Sequence, residues 1–243
     1  MASRIALLCV LGLLYASHVA MAKNFDFFYL VLMWPGAYCV QSGCCRPTTG
    51  VPAEDFFVSS FTPYSATSDS AVTKCNKTPF YINQLSNLTS ELYLYWSNIK
   101  CPSNNGKSTW RSAWKTYGVC SGFNETSYFQ AALSLRDKVD VSALLANKGI
   151  YPSYDLYTVA DIKDAIAAGT GATPAVRCSV GPFGIYQLYQ IYICVDKDAS
   201  TIIECPVYPK FTCSDDILYH PYKDWMLNTT SDANPIKMPA DME

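Results

Sequence analysis

The sequence predicts a single α+β domain in which an antiparallel sheet packs with helices and disulfides staple the chain. After one strand-like segment at residues 25–33, segments with helical spacing of apolar residues follow one another, and further strand-like segments follow Pro174 in a run of their own. This segregation is typical of α+β folds rather than of alternating βαβ folds. Cysteines are spread from Cys39 to Cys213, so one cross-linked domain accounts for most of the 243 residues. Half of the residues are hydrophobic, which is enough for a buried core.

The first half of the chain predicts one strand and two helices. Residues 25–33 are aromatic and aliphatic enough to form a buried strand. Pro79 opens a helix in which apolar residues recur at helical spacing. These residues are Ile82, Leu85, Leu88, Leu92 and Tyr95. A shorter helix is expected over residues 110–117, before Gly118.

Two further helices and three strands follow. A helix over residues 141–148 is expected to stop at Gly149, because glycine readily adopts the left-handed cap conformation. Thr158-Val159-Ala160-Asp161 resembles a capping box and opens a helix expected to end before Gly169. The strands are expected at residues 175–180, 185–195 and 201–204.

The two ends of the chain differ from the middle in composition. Residues 1–22 carry Arg4, an apolar run and small residues before position 23, which predicts a cleaved signal peptide. The folded domain is expected at residues 23–227 and a flexible tail at 228–243. The tail contains Asn234-Pro235-Ile236-Lys237, which resembles a plant vacuolar sorting signal, although a frayed terminus explains it equally well.

Charge and cysteine content narrow the function classes. The formal net charge of −2 gives no overall basic field, so strong nucleic-acid binding is not expected. Loss of the signal peptide would leave ten cysteines, which predicts up to five disulfides in an oxidising compartment. Only His220 would remain as a histidine, so no metal site is expected. No later segment is long enough to span a membrane, and no phosphate loop indicates a cofactor.

Four N-x-[ST] sequons agree with passage through the secretory pathway. They predict glycans at Asn76, Asn87, Asn124 and Asn228. The sequence therefore predicts a glycoprotein of the vacuole or the extracellular space, with its oligomeric state undetermined.

Several short motifs together carry a family resemblance. The chain has W-P-G-A-Y-C at positions 34–39, Cys44-Cys45, Cys101-Pro102, and Trp110 and Trp114 followed by Gly118-Val119-Cys120. With these motifs in this order along the sequence, the chain resembles the ribonuclease T2 family, in its plant S-like branch. The resemblance implies a T2-type domain with five disulfides. The implied pairs are Cys39–Cys44, Cys45–Cys101, Cys75–Cys120, Cys178–Cys213 and Cys194–Cys205.

The family's two catalytic blocks are altered in this chain. The first block, roughly F-x-I-H-G-L-W-P, corresponds to residues 56–63, where Ser59 takes the place of histidine and Thr62 that of tryptophan. The second, roughly W-x-H-E-W-x-K-H-G-x-C, corresponds to residues 110–120. There the His, Glu, Lys and His of the family are replaced by Ser112, Ala113, Thr116 and Tyr117.

These replacements bear on RNA cleavage by the family mechanism. That reaction removes a proton from a 2′-hydroxyl and donates one to the leaving 5′-oxygen, so it needs groups that titrate near the working pH. Serine does not titrate there, and a tyrosine hydroxyl has a reference pKa of about 10. The sequence therefore predicts a protein that is not an enzyme, with no catalytic residues at these positions.

Three functions remain open on these grounds. The leading hypothesis is a vegetative storage protein, because relatives of T2 ribonucleases without catalysis serve as plant nutrient reserves. The second is a binding module for nucleotides or RNA, or a defence protein, on the same scaffold. The third is a ribonuclease with weak residual activity that uses Tyr117 and Ser59.

Overall fold

A computed structural model describes residues 24–102 and 104–228. The predicted signal peptide and residues 229–243 of the predicted tail lie outside this range. The helices are α1 (Pro35–Ser42), α2 (Thr89–Tyr95), α3 (Lys107–Thr116), α4 (Glu125–Val139), α5 (Val141–Ala146) and α6 (Val159–Thr170). The strands are β1 (Phe27–Met33), β2 (Cys44–Cys45), β3 (Phe57–Ser65), β4 (Ser70–Ala71), β5 (Leu156–Thr158), β6 (Ala175–Val180), β7 (Tyr186–Val195), β8 (Ile202–Ile203), β9 (Asp216–Leu218) and β10 (Leu227–Asn228).

The main sheet runs in the order β4-β3-β1-β7-β9-β5, with β6 and β8 also paired to β7. Its pairings are antiparallel except where β9 lies parallel to β7, at Gln187 and Leu218. The predicted α+β class with a helix-packed sheet is therefore confirmed, with one parallel contact that the sequence pattern did not indicate.

Both faces of β1 are buried. Phe28 and Leu30 join the large core under the helices, where the Phe28 and Phe61 rings stack at 4.4 Å. Phe27 and Tyr29 face a smaller cluster that includes the cysteines of the Cys194–Cys205 disulfide. Strands buried on both faces read as continuous apolar runs, which is the pattern of β1.

Two predicted helices differ from the observed ones. The helix expected from Pro79 is a 3₁₀ segment at Ile82–Leu88 followed by α2. Its buried residues Leu85 and Leu88 are three apart, a spacing that suits 3.0 residues per turn. The last predicted helix, α6, begins at the Thr158 cap but extends past Gly169 to a left-handed cap at Gly171. Gly169 lies within the helix, and its lack of a side chain leaves room for the Leu144 side chain to pack against the helix backbone.

Helix α4 was not predicted, although six of its eight buried residues are apolar; the other two are charged. Glu125 and Arg136 are 3% and 6% exposed. Arg136 forms ion pairs with Asp55 and Asp137, and its guanidinium lies 3.9 Å from the centre of the Tyr95 ring. Burial pushes the pKa of Arg136 downward, but the Asp55 and Asp137 carboxylates more than offset this, so the pKa is raised overall.

Five disulfides join the same cysteine pairs that the family resemblance implies. The Cys75–Cys120 bond attaches the segment before the 3₁₀ helix to the end of the second block. Strand β10 pairs in parallel with β2, and the Asn228 carbonyl accepts a hydrogen bond of 3.0 Å from the Arg46 N–H. Regular structure thus includes Asn228, where the predicted tail begins.

Candidate functional site

Ser59, the residue at the first histidine position, lies at a β-bulge in β3. Val31 of β1 pairs with Ser60 and Leu32 pairs with Val58, so Ser59 is the extra residue. Bulges interrupt the ladder locally and change the direction of a side chain, and they are frequent beside active sites. The bulge leaves Ser59 exposed in the middle of an otherwise buried strand.

Gln190 of β7 is the partner of Ser59. The Gln190 Nε2 donates to Ser59 Oγ at 3.2 Å, while its Oε1 accepts from Arg177 at 3.1 Å and from Tyr192 at 3.3 Å. An amide cannot take a proton from a hydroxyl at neutral pH, so Gln190 orients Ser59 without activating it. Gln190 was not predicted as a partner of Ser59, because 131 residues separate the two in the sequence.

Helix α3 is held in place by its two tryptophans. Trp110 Nε1 donates to the Trp96 carbonyl at 2.8 Å, and Trp114 Nε1 donates to the Pro79 carbonyl at 3.2 Å. Both indoles are buried, at 0% and 3% exposure. Residues three or four apart share a helix face, so Trp110 and Trp114 lie together on the buried face. The positions that correspond to the family's catalytic residues, 112, 113, 116 and 117, therefore lie on the rest of the helix surface.

The family positions on α3 and just after it carry neutral side chains. Ser112 is exposed, while Ala113, Thr116 and Tyr117 are half-buried. The Thr116 carbonyl accepts from the Lys74 N–H at 2.8 Å, which ties this end of the helix to the preceding segment. None of these four side chains is an imidazole, a carboxylate or an ammonium group.

Tyr128 of α4 lies between the two blocks, although sequence analysis did not select it. Its hydroxyl donates to the Phe61 carbonyl of β3 at 2.5 Å, and its ring contacts Trp114 at 5.9 Å. Burial raises the pKa of Tyr128, and the nearby Tyr117 raises it further. Tyr128 is thus close both to Tyr117 of the second block and to Phe61 of β3, which belongs to the first block.

His220 is a packed residue outside both blocks, as the sequence indicated. It is 9% exposed, its Nδ1 lies 2.7 Å from the Pro221 carbonyl, and its ring meets Tyr154 edge-on. Its backbone carbonyl accepts from Trp34 Nε1 at 2.6 Å. These contacts give His220 a structural role at the start of α1.

Comparison with known families identifies the fold. The profile of the Ribonuclease T2 family matches residues 25–205. The chain belongs to this family. The solved structure of RNase NT in complex with 5′-AMP superimposes with a TM-score of 0.79 and is 37% identical, covering 82% of this chain and all of that one.

Two relatives of the T2 family bear directly on function. Extracellular ribonuclease LE of Solanum lycopersicum is 38% identical over 201 residues, covering 81% of this chain and 87% of the relative. The ribonuclease-like storage protein of Panax ginseng is 32% identical over 181 residues, covering 74% of each chain. The chain is thus similar both to proteins named as ribonucleases and to one named as a storage protein.

The prediction that this chain is not an enzyme is contradicted. Four relatives that are 36–39% identical over 77–88% of the chain are all named ribonucleases. At that similarity, the replacements in the two blocks do not suffice to exclude RNA cleavage.

The predicted modification sites differ in exposure. Asn76, Asn87 and Asn124 are exposed, whereas Asn228 is half-buried in β10. The Asn124 Oδ1 caps α4 by accepting from the Ser127 N–H at 2.8 Å. The Asn76 Nδ2 donates to the Val119 carbonyl at 2.9 Å. Glycans at these positions stay predictions.

Neither a metal cluster nor a membrane helix is found among the described residues. No group of three or more histidine, cysteine or acidic side chains there is arranged to hold a metal ion. Within the same ranges, no helix has both the length and the apolar character needed to cross a membrane.

Proposed function

We propose that this T2-family chain is a nutrient storage protein delivered through the secretory pathway. The similarity to the ginseng storage protein carries the proposal. The scaffold supports it physically, because five disulfides constrain the unfolded chain and so favour a protein that persists. A storage role requires no particular residue at Ser59 or Tyr117, so it is compatible with retained ribonuclease activity.

Protein abundance through the growth season tests the storage role. A reserve protein accumulates to a large fraction of total protein in storage tissue and declines when growth resumes. A constant low level through the season would contradict storage. N-terminal sequencing of the native protein adds a test of processing, with Lys23 expected near the first residue.

RNA cleavage is the second candidate, favoured by the relatives named as ribonucleases. Hydroxyl groups of Ser59 and Tyr117 stand at two of the family's histidine positions, so they are the side chains whose replacement tests this candidate. The test incubates purified protein with RNA between about pH 5 and pH 7. Product fragments ending in a cyclic phosphate would support cleavage by the family reaction.

Two single-residue variants test whether Tyr117 is responsible for any RNA cleavage that is observed. If Tyr117 acts as an acid or base, Tyr117→Phe lowers the rate by about 10²–10⁴-fold. His220→Gln serves as the control, because His220 contacts neither block and its replacement is expected to leave the rate unchanged. A rate that neither variant changes would mean that other groups, or a contaminant, cleave the RNA.

A further inference from the structure

Two adjoining clefts lie beside the C-terminal end of α3, and neither includes Ser59 or Ser112. The first, here called the aromatic cleft, has a volume of about 370 Å³. Its lining includes Tyr81, Trp114, Phe123 and Glu125. The second, the lysine cleft, has a volume of about 410 Å³. Its lining is Lys74, Asn76, Lys77, Thr78, Lys115 and Thr116.

The two clefts share a wall. Asn76 and Thr78 line both of them. The Asn76 side chain is fixed there, since its Nδ2 donates to the Val119 carbonyl and its Oδ1 accepts from the Thr78 N–H at 2.9 Å. Together the clefts are large enough for one molecule of nucleotide size.

The Glu125 side chain places a buried carboxylate at the wall of the aromatic cleft. Its Oε2 accepts from the Tyr81 N–H at 2.9 Å, whereas its Oε1 is buried and has no hydrogen-bond partner. The residue as a whole is 3% exposed. A buried carboxylate oxygen without a donor is unfavourable, so the cleft favours a ligand that supplies N–H donors.

The walls around Glu125 suit a flat ring. Tyr81 is 50% exposed despite its aromatic side chain, and it lines the cleft together with the half-buried Phe123. Gly122 also lines this cleft, and an added Cβ there would meet no atom within 4 Å. Aromatic side chains stack on nucleobases, which all present a π-face.

The lysine cleft concentrates positive charge. In the described part of the chain the ion pairs involve Arg136 and Lys223, so the ammonium groups of Lys74, Lys77 and Lys115 have no carboxylate partner. The surrounding sequence is also one-sided, because residues 72–118 contain six lysine and arginine residues and one acidic residue, Glu91. A chain with a net charge of −2 thus has a local basic surface.

We propose that the joined clefts bind a guanine nucleotide, with the base against Glu125 and Tyr81 and the phosphate among Lys74, Lys77 and Lys115. Guanine presents adjacent N1–H and N2–H donors on one edge, which match a carboxylate. Adenine presents an acceptor nitrogen at the same place, so it would face the Glu125 oxygen without a hydrogen. A site built around a hydrogen bond discriminates strongly against a ligand that cannot form it.

Asn76 and Asn124 line the clefts and are predicted glycan sites, so the test uses purified protein from which N-linked glycans have been removed enzymatically. Calorimetric titration of this protein with 5′-GMP, 5′-AMP and guanosine at pH 7 tests the proposal. One GMP is expected to bind per chain, with AMP at least tenfold weaker. Guanosine is expected to bind more weakly than GMP because it lacks the phosphate. Failure of GMP to bind, or equal affinity for GMP and AMP, would overturn the assignment.

Glu125→Gln is the decisive variant. The substituted amide side chain can still accept from the Tyr81 N–H, but it places an NH₂ donor where Oε1 was, so GMP affinity is expected to fall at least tenfold while AMP affinity changes little. Glu91→Gln, at an exposed carboxylate of α2, is the matched control and should bind GMP normally. Lys115→Gln is expected to weaken GMP and AMP alike.

A further variant separates this site from the Ser59 region. Gln190→Leu removes the partner of Ser59 and should leave GMP affinity unchanged. GMP binding that falls in Gln190→Leu but not in Glu125→Gln would place the nucleotide at β3 and overturn the proposal. Thermal unfolding of each variant shows that a loss of binding is not a loss of folding. These outcomes are independent of the storage and cleavage tests.

Discussion

Replacement of Arg136 by methionine is expected to be among the most destabilising single changes in this fold. Arg136 is 6% exposed and its guanidinium is held by Asp55, by Asp137 and by the Tyr95 ring. In Arg136→Met the Asp55 carboxylate keeps its bonds from the Ser142 hydroxyl, at 2.6 Å, and the Phe56 N–H, at 2.7 Å, but loses its cation. Removing one member of a buried pair costs about 3–5 kcal/mol.

Denaturant unfolding with the disulfides intact measures this change. A loss of about 3–5 kcal/mol corresponds to a lower Tm by about 6–20 °C for a domain of this size. Lys223→Met is the matched control, because Lys223 pairs with Glu54 at 2.7 Å on the surface, with side chains 54% and 45% exposed. Breaking an exposed pair costs about 0–1 kcal/mol.

A double-mutant cycle sharpens the test. Asp55→Asn keeps the contacts to Ser142 and Phe56 and removes the negative charge. The double variant Asp55→Asn/Arg136→Met is expected to be less destabilised than the sum of the single variants, because neither buried charge is then left alone. If Arg136→Met lost no more stability than Lys223→Met, the reasoning from burial would be refuted.

Three further predictions concern individual contacts. Gly118→Ala is expected to cost about 1–3 kcal/mol in the free energy of unfolding, because the added Cβ would overlap the Trp114 ring; an unchanged denaturation midpoint would contradict this close packing. Burial raises the pKa of Glu125 although the Tyr81 N–H lowers it, so the ionised side chain destabilises the fold above that pKa. Glu125→Gln should therefore raise the Tm at pH 7 and lose this gain as the pH falls to about 4, where the unfolded carboxyl is also protonated; a gain independent of pH would exclude this cause. Hydrogen bonds from Thr201 and Ser200 lower the pKa of Asp198 to about 2. The stability from Asp198 is thus present above about pH 3.9 and lost as the pH falls towards 2, so the Tm difference between Asp198→Asn and the parent should shrink over that range.

The sequence determined part of the framework. The apolar run of β1, the strand-like segments of β6 and β7 and the Thr158 cap of α6 predict elements that the structure contains, because each depends on neighbouring residues. Strands β3 and β9 and helix α1 were not predicted. The five disulfide pairs follow from the family resemblance. Helix α4 was not predicted, although the Asn124 cap marks its start and Tyr128, Ala132 and Leu135 recur at helical spacing on its buried face. The burial of Glu125 and Arg136 in the same helix depends on partners from distant segments, which the local pattern does not show.

The two blocks and the relatives point in different directions on catalysis. The replaced histidines predict loss of catalysis, whereas relatives at 36–39% identity are named ribonucleases, so the block residues alone do not exclude RNA cleavage. The net charge of −2 likewise concealed the local cluster of Lys74, Lys77 and Lys115, which have no carboxylate partner among the described residues, because a sum over the chain hides local clusters of charge.

Tertiary structure alone decided the surroundings of each candidate side chain. Ser59 meets Gln190 across 131 residues, and Tyr81 donates to Glu125 across 44. The bulge that exposes Ser59 arises from the register between β1 and β3, and the orphaned Glu125 oxygen arises from how α4 packs beside the 3₁₀ segment. Local sequence specifies propensity and periodicity, whereas burial and hydrogen-bond partners are properties of contacts between distant segments, which exist only once the chain has folded.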